Sequence, residues 1–265
     1  MPKKDVDGSL FLLGRGKVYF DRKTDAGIYT GEQFLGNCPR VEITPSQESV
    51  EARSAADPAS ALVAYDIISQ DYELGLKPNE FDPYNLALAF FGKEALYSQN
   101  NTAVVDEQLN PNSAGVAQPV YQGRYYRLGV DKRNIASVQA VRLAGTATTK
   151  TGWELDGVEA RLYIVPGGDI ADGAALEIDY TPTTVTDRPM VQAGESPTIE
   201  GRMRVVQNNK RGTNRTYEFW NVSFRSDEAL SLIDNTYGEI QIKAKVLADP
   251  TGHPTNQYFR IINQS

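Results

Sequence analysis

A chain of 265 residues, 40% hydrophobic and 9% aromatic, holds enough apolar material for one large or two small globular domains. One cysteine, Cys38, excludes an internal disulfide framework, and with one histidine, His253, no Cys/His zinc site can be assembled within the chain. The net charge of −7 is uneven, because residues 1–110 carry 10 Lys and Arg against 17 Asp and Glu, whereas 111–265 carry 17 of each. An acidic balance is the wrong footprint for a protein that grips phosphates; it suits one that must not grip them, and equally a merely soluble acidic face.

No apolar run approaches 18 residues, and the run at 10–13 is too short for a signal-peptide core or a membrane span. The expectation is a chain that stays in a reducing cytoplasm where it is made, with no membrane partner.

Taken in chain order, Val18 and Phe20 alternate with Lys17, Tyr19 and Asp21, and Val41 and Ile43 alternate with Arg40, Glu42 and Thr44, the period of half-buried strands. From Pro45 to Ala61 the sequence turns small and polar, with Val50 the one large apolar residue, which predicts a mobile loop. Alternation returns over 62–76, with Tyr72, Leu74 and Leu76 on one face and Asp71 and Glu73 on the other. Residues 40–76 therefore read as a long hairpin with a soft tip.

A helix over about 82–92 follows, with Asp82 as N-cap, Pro83 at its first position, Leu86, Ala89 and Phe90 at helical spacing, and Gly92 as the stop. Its apolar residues read as core packing. The stretch 98–119, rich in Asn, Ser, Pro and Gln, reads as a linker. Four closely spaced strands are predicted between 119 and 184, then a polar connector, then three more strands, of which the first two are joined by the hairpin NNKRGTN with Gly212 at positive φ.

No set of residues has the pattern of a reaction centre. His253 lies among turn residues without a partner cysteine or second histidine, and Cys38 has no CxxC spacing; an exposed turn histidine and a small structural residue fit better than a ligand and a nucleophile. The glycines at 14 and 16 lack the third glycine and the helix of a dinucleotide fingerprint. Asp169 and Asp172 in PGGDIADG lack the alternating acids of a calcium loop and read as a turn. Tyr125 and Tyr126, flanked by arginines, fit a strand with one wet face as well as a nucleic-acid stack.

The segments GKVYFDR, GEQFLGNCPRVEITPSQE, LALAFFG and IEGRMRVVQNNKRGTNRTYEFWNVSFRSDEALSLIDNTYGEIQIKAKVLAD, in that order, resemble the major tail tube proteins of long-tailed, non-contractile bacteriophages. The resemblance covers roughly two thirds of the chain as an order of elements. It implies a mainly β fold, a β-sandwich or barrel with one flanking helix, assembled as rings of six that stack into a hollow tube through which DNA leaves the virion. No enzyme activity and no cofactor or metal is implied. The stretch WELDGVEARLYIVPGGDIADGAALEIDYTP looks like a small Ig-like β module inserted in some tail proteins and displayed outside. The expected division is thus 1–117 and 187–265 for the tube domain, with 118–186 inserted.

The implied partners are copies of the chain itself, with tape measure, tail terminator and tail tip proteins, while genomic DNA passes without specific binding; the implied location is the virion tail, after assembly in the host cytoplasm. On this reading Glu42, Glu51, Asp71 and Glu73 are candidates for a channel lining that repels DNA, and Ser46, Glu48, Val50, Arg53, Asp57 and Pro58 for an inter-ring loop that orders on stacking. The alternatives are a carbohydrate-binding or adhesin sandwich with Trp153, Tyr163 and the tyrosines near 125 as a sugar platform, a β-sandwich hydrolase, which a single histidine disfavours, and an inner tube protein of a contractile tail.

Overall fold

The computed structural model describes residues 11–56, 59–225 and 229–264, and they are mainly β with one short helix. The chain divides into two compact units, one formed by Met1–Ala95 with Val191–Ser265 and the other by Leu96–Met190.

The first unit is built on an eight-stranded sheet. Its strands are β1 (Gly16–Lys23), β2 (Tyr29–Phe34), β3 (Arg40–Arg53), β4 (Leu62–Lys77), β13 (Glu200–Gln207), β14 (Arg215–Arg225), β15 (Ile242–Val246) and β16 (Phe259–Asn263). They run in the order β2-β1-β13-β14-β15-β4-β3, with β16 also pairing β14, so that β2 and β3 are edges. All the pairings are antiparallel. One face buries Val18, Phe20, Leu74, Leu76, Met203, Phe219, Val222, Phe224, Ile242 and Val246, and Val18 with Phe20 and Leu74 with Leu76 follow the alternation read from the sequence. Phe20 meets Phe224 edge-on at 4.7 Å. On the other face, cross-strand ion pairs join Arg202 to Asp21 at 2.6 Å, Arg204 to Glu32, and Arg260 to Glu218 at 2.6 Å.

The helix α1 (Pro83–Ala89) begins where the sequence placed it. The Asp82 carboxylate accepts the Asn85 backbone N–H at 2.7 Å, and Pro83 needs no partner for a missing donor. It ends earlier than Gly92, because Phe91 takes φ +50 and the Gly92 N–H returns to the Ala87 carbonyl. Buried Asn85 donates to the Leu35 and Glu80 carbonyls, and Tyr84 and Leu88 enter the core.

In the second unit, β7 (Tyr125–Arg127), β9 (Trp153–Asp156) and β10 (Arg161–Ile164) form one three-stranded sheet, and β6 (Val104–Gln108), β8 (Ile135–Leu143) and β11 (Leu176–Pro182) another. Both contribute to a core that includes Leu128, Val141, Leu162, Ile164, Ile178 and Tyr180. Two stretches read as linkers are strands. Val104–Gln108 is β6, paired with β11, and β12 (Val185–Gln192) pairs with β5 (Lys93–Gln99). The unit therefore runs wider than 118–186. Neither strand shows in the pattern because β6 carries Asp106 and Glu107 among its five residues, and β12 has Pro189 and mostly exposed side chains.

β6, β8 and β11 are tied by Arg142, whose guanidinium donates twice to Asp179, at 2.5 and 2.8 Å, and once to Asp106. The Arg142 guanidinium, helped by the Asp106 backbone N–H, holds the Asp179 carboxyl below the usual carboxylate range. A carboxyl depressed in the native state stabilises that state above its unfolded pKa, and the contribution is lost as pH falls toward the native value. The thermal midpoint should therefore drop as pH is lowered from about 5 to about 3, and Asp179→Asn should start lower at neutral pH and fall less steeply; parallel declines would contradict the assignment. Leu162→Ala, which empties a fully buried site, should cost about 2–5 kcal/mol in denaturant titration.

Candidate functional site

β3 and β4 pair over their whole lengths, from Arg40 opposite Lys77 to Arg53 opposite Leu62. β15, however, covers β4 only from Tyr72 to Leu76. Beyond Tyr72 the two strands continue as a ribbon on their own, and every residue from Thr44 to Arg53 is exposed. This corrects the expected loop at 46–60: Ser46, Glu48, Val50 and Arg53 lie on a strand, and the described residues outside the two strands at the tip are 54–56 and 59–61. Asp57 and Pro58 lie outside the described residues. The polar composition misleads because β3 is an edge strand, where Pro45 is tolerated and cross-strand bonding needs no apolar side chain.

Residues directly opposite in an antiparallel ladder share a face. One face of the ribbon carries Glu42, Thr44 opposite Glu73, Ser46 opposite Asp71, Glu48 opposite Ser69, and Val50 opposite Asp66. The other continues the core face, through Ile43 opposite Leu74 and Pro45 opposite Tyr72, to Ser49 opposite Ile67, Glu51 opposite Tyr65 and Arg53 opposite Leu62. The ribbon is amphipathic, acidic on one side and bearing Leu62, Tyr65 and Ile67 on the other, each 50–53% exposed.

Of the four candidate channel acids, the structure brings Glu42, Asp71 and Glu73 to one face and places Glu51 on the opposite face, where it pairs with Arg53 at 3.0 Å. Glu42 is paired with Arg40 at 2.7 Å, and Glu73 lies 3.6 Å from Arg225. Asp71, Glu48 and Asp66 have no ion-pair partner among the described residues. Charge on the acidic face is therefore unbalanced toward the tip. Asp66, Tyr65 and Ile67 do not follow from the alternation, because two bulges interrupt the period. Between Glu48 and Ser49 and between Ala52 and Arg53 the register shifts, leaving Ile68 and Val63 as extra residues on β4. The ribbon's base is held by aromatic contacts of Tyr72 with Tyr258 and Phe259, at 5.2 and 5.1 Å.

The other candidates are placed as follows. His253 is half-buried, stacked on Trp220 at 3.6 Å and within 2.9 Å of Asp249, rather than exposed in a free turn. Cys38 lines a cleft in the first unit, and burial pushes its thiol pKa up. The Asp169 carboxylate accepts the Thr151 and Gly152 backbone N–H groups, and Asp172 that of Gln122, so both hold turns. Tyr125 and Tyr163 lie side by side at 4.8 Å on the outer face of β7-β10, with Arg161 over Tyr125 at 4.4 Å. Trp153 does not join them; it stands opposite buried Ile164 and packs against the unit's core. Among the described residues no helix is long and apolar enough to cross a membrane.

Two strands without a third are marginal in water. Hydrogen exchange should therefore show amides of β3 near Val41 and Ile43 protected far more strongly than those from Gln47 to Ala52; uniform protection along β3 would contradict an unsupported ribbon.

A family model described as a protein of unknown function, UCP028589, matches residues 11–262. No curated protein matches the chain.

Proposed function

The chain belongs to that family of unknown function, and we propose that it is a self-assembling structural subunit, a tail tube protein of a long-tailed bacteriophage. Copies form rings of six that stack into a hollow tube, in the virion tail. The inserted unit is then an Ig-like module carried by the tube domain, and the tape measure, terminator and tip proteins are the partners at the tube's ends.

The observation that carries the reading is the amphipathic ribbon. A core face that runs past its core, with Leu62, Tyr65 and Ile67 exposed, gains by being covered, and a neighbouring copy supplies the cover in every subunit alike. Covering the apolar face leaves the acidic face bare. In a tube that face lines the channel, where Glu48, Asp66 and Asp71 repel the DNA backbone and keep it from adhering. β3 also offers an unpaired edge to a neighbour's strand, closing the sheet around a ring. The inner tube of a contractile tail would use the same physics. A sugar-binding role has less support, because the guanidinium of Arg161 already occupies one face of Tyr125 and Trp153 is turned inward.

Tyr65→Asp with Ile67→Asp should leave the monomer folded, since both side chains are exposed, and should weaken association measured by sedimentation more than tenfold, as each buried apolar side chain is worth about 1.5–3 kcal/mol. Association unchanged in the double variant would remove the ribbon from the interface.

A further inference from the structure

The most exposed large apolar side chains near one another in sequence are not on the ribbon. They are Leu232, Ile233 and Tyr237, at 82, 96 and 98% exposure, in the segment 229–239 that joins β14 to β15. The segment is pinned at both ends. Leu230 packs against the core, Gly238 abuts the Phe81 ring, the Ile240 N–H donates to the Pro78 carbonyl at 2.8 Å, and Glu239 lies 3.7 Å from Lys77. The three side chains between these anchors are thereby held away from their own core. Apolar groups so presented gain free energy when a partner removes them from water.

The same unit has a receptor for them. Where β1, β3, β13 and β14 leave the core open, a cleft of about 480 Å³ is floored by Val18 and Phe219 and walled by Val41, Ile43 and Tyr217, with Cys38 beside them. That volume lies in the range of sites that enclose a sizeable apolar group, about 300–1,000 Å³. Its rim carries Arg15 and Arg40. Arg40 is engaged by Glu42, whereas Arg15 has no ion-pair partner among the described residues. The segment 229–239 has no Lys or Arg, and with Glu239 held by Lys77 its remaining acid is Asp234, opposite in charge to Arg15 on the rim.

From this pairing of a pinned apolar protrusion with an open apolar cleft, we infer that the segment 229–239 of one copy docks in the cleft of a second copy, Leu232, Ile233 and Tyr237 entering it and Asp234 meeting Arg15. Protrusion and cleft are different surfaces, so docking in one direction only is heterologous and repeats from copy to copy, whereas reciprocal docking about a two-fold axis would close after two copies; the inferred contact is the one-way form. The inference rests on the self-assembly reading and adds to the ribbon a second, separate contact.

Cys38 makes the contact testable in the full chain. Ile233→Cys, concentrated and oxidised with copper phenanthroline at mildly alkaline pH to offset the raised thiol pKa, should give a ladder of dimers, trimers and higher species on non-reducing gels. Peptide mapping should find position 233 joined to Cys38, and Cys38→Ser should abolish the ladder. Asp234→Arg should cut the yield at least fivefold, and adding Arg15→Asp should restore it. Links within one chain, links only between two 233 positions, or no link in a preparation that sedimentation shows to be assembled would overturn the docking while leaving self-assembly standing. A chain that remains monomeric at every concentration would overturn both.

Discussion

Beyond Tyr72 the ladder of β3 and β4 has, among the described residues, no third strand beside it, and its side chains from Thr44 to Arg53 are exposed. Two strands in water satisfy only half of their backbone groups with each other, and the side chains of Leu62, Tyr65 and Ile67 remain wet although they continue a face that is dry lower down. The first unit supports the root of this ribbon at two places. β15 pairs with β4 up to Tyr72, and Tyr258 and Phe259 pack on Tyr72.

An exposed amphipathic ribbon is an aggregation hazard unless its partners are restricted. Two features restrict them here. The bulges at Ile68 and Val63 twist the strand away from a flat edge that any strand could join. The carboxylates of Glu48, Asp66 and Asp71 repel a second ribbon presented on the acidic face, which leaves the apolar face and the ribbon's two strand edges to a neighbour. The acidic excess of residues 1–110, which composition alone leaves ambiguous between solubility and DNA avoidance, is thus concentrated in part on one side of one element.

The apolar alternation of β1 and β4, and the presence of β13, β14 and β15 as strands, were legible because each buries one face against a core, and the cap at Asp82 with Pro83 was legible because capping is local chemistry. β2, all of whose residues are exposed, was not, nor were β6 and β12, whose pairing is satisfied through the backbone. The outer half of β3 was read as a loop for the same reason. Among the site residues, Glu42, Asp71 and Glu73 were placed by alternation alone, which holds near the sheet. Glu51 is one position out of phase with them and faces the other way, and β4 loses its simple period at the two bulges, which no single sequence reveals.

The central claim is that the ribbon and the open edges are surfaces made for other copies of the chain. Negative-stain electron microscopy of the purified protein across a concentration series tests it most directly. Rings of six, or hollow tubes with a ring repeat along the axis, are the predicted result. Particles that stay monomeric at the highest concentrations, or closed two-fold dimers alone, would contradict it.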